Sequence, residues 1–133
     1  MSNEIFGFEE LELWKRVREF KNDVRVLSTS FPSEEKYRLT DQLIRSSRSI
    51  HALITEGHGR FTYPDQIHYC IQARGSLTET KNHLIDTFDE KYISAEQLNA
   101  MKQKGKEVER ILNGYLAFLR KKRDEHKKGN SNP

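Results

Sequence analysis

Between Leu98 and Leu119, residues recur at alternating spacings of three and four without a slip: Leu98, Met101, Gly105, Val108, Leu112, Tyr115 and Leu119. Such a heptad specifies a helix with one continuous seam, and the seam has to be buried against other helices. Ile111 and Phe118 widen the stripe, so this helix touches more than one neighbour. Ser94-Ala95-Glu96-Gln97 has the S-x-x-Q form of a capping box and sets its start. The pattern runs to about Lys122. Gly105 inside the stripe costs about 1 kcal/mol relative to alanine, which points to a close helix approach.

Three earlier stretches supply partners. Glu9 to Ser28 carries Leu13, Val17, Phe20, Val24 and Leu27 at heptad-like spacing, with Trp14 and Leu11 at the edge. Pro32 disfavours a helical Phe31, and Ser33 is placed to cap a short turn through Glu34, Glu35 and Lys36. Leu39 to Glu56 gathers Leu43, Ser46, Ser47, Ile50, Leu53, Ile54 and Gly57 on one side at about 100° per residue. This core face is rich in small residues, so a partner helix can come close. Ile44 lies beside the polar face, as a lone exposed aliphatic or a subunit contact. Gly57 and Gly59 end the helix, through the left-handed conformation open to glycine, and Pro64 suits the first turn of the next.

Pro64 to Asp89 places Ile67, Cys70, Ile71, Leu77, Leu84, Ile85 and Phe88 on one face, with Arg74 and Lys81 in its middle. Lys81 can snorkel, whereas Arg74 needs a carboxylate, and Glu56 is the candidate. Four helices joined by short turns predict an all-α fold, an antiparallel up-down-up-down four-helix bundle. The 133 residues make one domain, ordered over about 8–122, with a basic, frayed or disordered tail over 123–133.

About a third of the residues are charged, and no apolar run reaches the roughly 20 residues of a membrane span. The opening MSNEIFGFEE has no basic, apolar signal segment, which leads to the expectation of a cytoplasmic protein with no membrane association. Cys70 is the one cysteine, so neither a disulfide framework nor a cysteine metal cluster is available. Asp65-x-x-His68 occurs once, no E-x-x-H occurs, and His68 points away from the core, so no di-metal bundle is expected. His51, His58, His68, His83 and His126 form no catalytic set, and no phosphate loop follows a strand. No catalytic residue, metal or cofactor is expected.

The net charge of +3 is unevenly placed. Residues 120–128, RKKRDEHKK, hold six basic and two acidic residues, so the rest of the chain is slightly acidic. Arg120, Lys121, Lys122 and Arg123 can engage phosphates, or can complement the dipole at a helix end. Arg38, Arg45 and Arg48 share the polar face of the second helix, and Arg60 follows the turn. The aromatic interleaving of a single-strand stacking platform is absent, so binding would be to backbone and shape.

The opening FEELELW, the link FPSEEKYRLTDQL, the turn TEGHGR and the segment ARGSLTE together resemble the bacterial 23S rRNA intervening-sequence proteins, over about residues 6–120. Glu56, Gly57, Gly59 and Arg60 match the family's E-G-x-G-R turn. Ala73, Arg74, Gly75, Ser76, Leu77 and Glu79 match its A-R-G-S-L-x-E segment. The resemblance implies an antiparallel four-helix bundle, a homopentameric ring, and a corner of Glu56, Gly57, Gly59, Arg74 and Gly75. His51-Ala52-Leu53 replaces the family's Pro-Ser-Asn-like run, which predicts a straighter second helix. A related accessory protein of diversity-generating retroelements implies RNA or DNA, or a protein such as a reverse transcriptase, as partner. Two functions follow: an oligomeric nucleic-acid-binding accessory protein, or an assembly protein whose arginines pair with acids such as Asp41 across subunits.

Overall fold

The computed structural model describes residues 4–130. Four helices carry the fold: α1 Glu12–Ser28, α2 Leu39–His58, α3 Tyr63–Asp89 and α4 Ala95–Asn130. Two 3-10 turns, Gly7–Glu10 and Ser33–Glu35, precede α1 and α2. The expected first helix thus starts three residues late, because the chain is extended at Leu11.

Cross-helix contacts fix an antiparallel bundle. Trp14 meets Thr55 and Lys21 meets His51 between α1 and α2. Ser46 meets Thr80 and Ser49 meets Ser76 between α2 and α3. Lys81 pairs with Glu109 at 2.9 Å between α3 and α4, and Asp23 with Lys104 at 2.9 Å between α1 and α4. Each helix packs on two neighbours, and the seams close around a core of Leu13, Val17, Phe20, Leu43, Ile50, Leu77, Leu112 and Leu116.

The α4 heptad is buried as read, except that Tyr115 is only half-buried, and Leu116 joins it at 1 % exposure. Its capping box closes reciprocally: Gln97 N donates to Ser94 Oγ at 3.1 Å and Ser94 N to Gln97 Oε1 at 2.8 Å. Thr62 caps α3, its hydroxyl accepting from Asp65 N. Ser33 caps nothing by its side chain; Glu35 does that work instead, its carboxylate accepting from Leu39 N and from the Tyr92 hydroxyl.

Four expectations need correction. Gly57 and His58 stay helical, and no described glycine has a positive φ; Lys91, after α3, is the residue in the left-handed region at φ 65°. Glycine is required at Gly57 by proximity, since a Cβ there would lie 2.8 Å from Tyr69 Cβ. At Gly105 a Cβ would meet only Lys81 Cε at 3.5 Å and Phe20 at 3.8 Å, so no backbone crowds it. On α3, Ile71, Ile85 and Phe88 are exposed, while Ala73, Thr80 and Thr87 are buried in their place. Arg74 does not pair with Glu56; its Nη1 donates to Asn113 Oδ1 on α4 at 3.3 Å. α4 itself runs as helix to Asn130, and the His126 ring meets Tyr63 of α3 edge-on at 6.2 Å. Residues 131–133 of GNSNP lie outside the described residues.

Candidate nucleic-acid interface

The basic residues fall into separate groups rather than one patch. Arg38 stands exposed at the N-cap of α2, and Arg60 lies just past its other end. At 1.5 Å per residue the two are about 30 Å apart along the axis. Arg45 leans on Asp41 of its own helix at 3.6 Å, a loose pair with the arginine side chain 78 % exposed. Asp41 therefore has a partner within the chain, and a pair of this exposure contributes little. Among the described residues, Arg38 and Arg48 form no ion pair.

Arg60 is engaged at the α2–α3 corner. Its Nη2 donates to Glu56 Oε1 at 2.9 Å and to the Tyr69 hydroxyl, and the guanidinium lies 4.8 Å from the centre of the Tyr69 ring. Tyr69 in turn donates to Glu56 at 3.0 Å, and Gln66 caps the Arg60 carbonyl at 2.8 Å. The Glu56 hydrogen bond and the Tyr69 oxygen raise the Arg60 pKa further. These contacts make Glu56, Gly57, Gly59 and Arg60 one structural corner. Arg74 and Gly75 make none of these contacts; they lie about 8 Å beyond Tyr69 along α3, Arg74 against Asn113 and Gly75 open to solvent.

The end of α4 is the largest concentration of cations. Lys122 reaches Glu125 at 3.6 Å and lies over the Phe118 ring, and Arg123 pairs with Asp124 at 3.1 Å. Arg120, Lys121 and, one to two turns on, Lys127 are exposed and form no ion pair among the described residues. These cations continue the helix of α4 beyond the core.

Sequence reading missed the α1 side of the Arg48 face. Arg18 and Lys21 stand one turn apart there, and both Arg18 and Arg48 depress the Lys21 pKa, after burial. The signal was present in the i, i+3 spacings Arg18–Lys21 and Arg48–His51, but only antiparallel packing brings the two pairs together. Among the described residues no group of three or more His, Cys, Asp or Glu could hold a metal ion. No described helix is long and apolar enough to cross a membrane. Cys70 is buried, and burial pushes its thiol up to about 11, which leaves it protonated and unreactive.

The family profile described as 23S rRNA-intervening sequence protein matches residues 9–114. Among solved structures, the chain is similar to a protein of unknown function from the S23 ribosomal protein family of Bacteroides thetaiotaomicron VPI-5482, solved at 1.70 Å. The two are 24 % identical with a TM-score of 0.72, over 78 % of this chain and 97 % of that one, a likeness of fold. No protein of curated function matches the chain.

Proposed function

The chain belongs to the 23S rRNA-intervening sequence protein family, and we propose that it is a non-enzymatic accessory protein that binds the backbone of RNA or DNA. The observation that supports this reading most is the end of α4, where Arg120, Lys121 and Lys127 stand on an ordered helix without ion pairs among the described residues. Cations with no acid of their own are free to replace the counterions of a phosphate backbone. A homopentamer, as the family resemblance implies, would repeat this arm around a ring and multiply a modest affinity.

The test is fluorescence anisotropy of labelled structured RNA and duplex DNA at several salt concentrations. The full chain is compared with Arg120→Gln/Lys121→Gln/Lys127→Gln and with a chain ending at Leu119. Binding should weaken steeply with salt, and the triple variant should flatten the log–log slope by about two to three, since each phosphate left unneutralised removes about 0.9. Absence of binding at low salt overturns the reading.

A second reading is assembly around a protein partner such as a reverse transcriptase. The exposed Ile71, Ile85, Phe88 and Phe118 favour it, since they leave apolar surface on α3 and α4. Salt-insensitive oligomers that ignore nucleic acid would decide for it.

A further inference from the structure

The α1–α2 face carries an excess of positive charge around a polar interior. Lys21 Nζ donates to His51 Nδ1 at 2.9 Å, so a half-buried ammonium rests on a neutral imidazole and not on a carboxylate. His51 is itself buried at 8 % exposure; its Nε2 makes no hydrogen bond of good geometry among the described residues, although the Trp14 backbone acts on the ring. Arg18 lies over the Trp14 ring at 5.5 Å, and the Trp14 and His51 rings pack at a tilt with their centres 4.5 Å apart. Arg48 stands one turn before His51 on α2, whose ring meets Lys21, and its charge, like that of Arg18, acts on Lys21. None of Arg18, Lys21 and Arg48 has an ion pair among the described residues. A cleft of about 510 Å³ opens on the same face and shares Trp14 and Arg18. Lys15 and two carboxylates line it as well, Glu9 accepting from Phe6 N at 2.6 Å and Glu19 lying 3.8 Å from Arg16, while Lys21, His51 and Arg48 stand beside it and not in its lining.

Three like charges on one face repel one another, weakly where water screens them, and a polyvalent anion would relieve that repulsion. Two planar forks and one ammonium suit a tetrahedral phosphate, whose oxygens accept in several directions. We propose that Arg18, Lys21 and Arg48 form a phosphate-binding site on the α1–α2 face, with Trp14 and His51 as its wall. It deepens the backbone-binding reading by naming a second contact, distant in sequence from the α4 arm. The phosphate belongs either to a nucleic-acid backbone or to a free phosphorylated small molecule.

Trp14 is the one tryptophan of the chain, so its emission reports this wall alone. The full chain is titrated with inorganic pyrophosphate at ionic strength held constant with potassium chloride. Trp14 emission and the ³¹P linewidth of the ligand are both followed. A saturable response is expected, weakened about tenfold by Lys21→Gln or Arg48→Gln, preserved by Lys21→Arg and untouched by Lys121→Gln. A parallel titration with a four-nucleotide single strand separates the sources: tighter binding per phosphate than pyrophosphate assigns the site to a backbone, weaker binding to a free ligand. The proposal falls if neither readout saturates, or if Lys121→Gln weakens binding as much as Lys21→Gln. Because pyrophosphate needs no α4 arm, loss of nucleic-acid binding in the α4 variants leaves this result readable on its own.

Discussion

The two sides of α2 bury polar groups in opposite ways. Toward α3 the seam is built of hydroxyls and small residues. Ser46 Oγ donates to the Leu43 carbonyl at 3.1 Å, Thr80 Oγ1 lies 2.8 Å from both Ser46 Oγ and the Ser76 carbonyl, and Ser49 meets Ser76 at 3.0 Å. Toward α1 the seam holds an indole, an imidazole and an ammonium, with His51 Nε2 left over and three cations around it. A hydroxyl can always turn back to the carbonyl three or four residues before it, so the α3 side closes on itself. Imidazole and ammonium have no such local escape, so the α1 side remains incomplete. The contrast separates polarity that serves packing from polarity left available for an outside group.

Acid should strain the incomplete side first. Burial, then the charge of Lys21, lowers the His51 pKa from 6.5 to about 4, with Arg18 adding to the repulsion. Above pH 6.5 the ring is neutral folded or unfolded. As pH falls from 6.5 to 4 the unfolded chain takes a proton that the folded chain refuses, so stability is lost across that window, by about 3 kcal/mol. Urea midpoints at pH 7.5 and 4.5, compared between the native chain and His51→Gln, isolate this contribution. Equal losses in both would erase the distinction between the two seams.

The closed side should fail by crowding. Gly57→Ala puts a methyl 2.8 Å from Tyr69 Cβ, and neither atom is the end of a flexible side chain. A loss of about 1–3 kcal/mol is expected in thermal or chemical melts. An unchanged melt would show that α2 and α3 can part without cost. A smaller loss, about 1 kcal/mol, is expected for Thr80→Val, which removes a fully buried hydroxyl but keeps its shape. If Thr80→Val proved stabilising, the hydroxyl seam would be polarity tolerated and not used. The smallest effect has the opposite sign. Gly105→Ala finds only side chains, at 3.5 Å and beyond, and should raise stability by about 0.5–1 kcal/mol through helix propensity. A loss at Gly105 as large as that at Gly57 would mean that α4 is as tightly seated as α3.

Period carried most of the fold in the sequence: the α4 heptad and the α1 stripe could face nothing but a core, and the Ser94–Gln97 box marked a helix start that the structure keeps. Ends and exceptions were less legible. Gly57 read as a helix terminator because glycine has two uses, and only the distance to Tyr69 tells which applies. The α3 stripe was displaced because Ala73, Thr80 and Thr87 are weak hydrophobic signals yet fit a close seam, whereas Ile71, Ile85 and Phe88 are strong signals left outside it. Of the candidate site, the α4 cations were visible as a charge run at a helix end, though not how far the helix carries them. The Arg18–Lys21–Arg48 cluster showed only as separate i, i+3 pairs, since it joins residues about 30 positions apart that only the α1–α2 register brings together.

The helical state of α4 beyond Leu119 has a thermodynamic consequence. An arm that folded on contact would lose chain entropy in doing so and would register a large negative heat-capacity change on association. An arm already wound to Asn130 has no such transition to make. Association through it would show a small heat-capacity change and an encounter rate set by ionic strength, so that this end of the molecule answers to salt far more than to temperature.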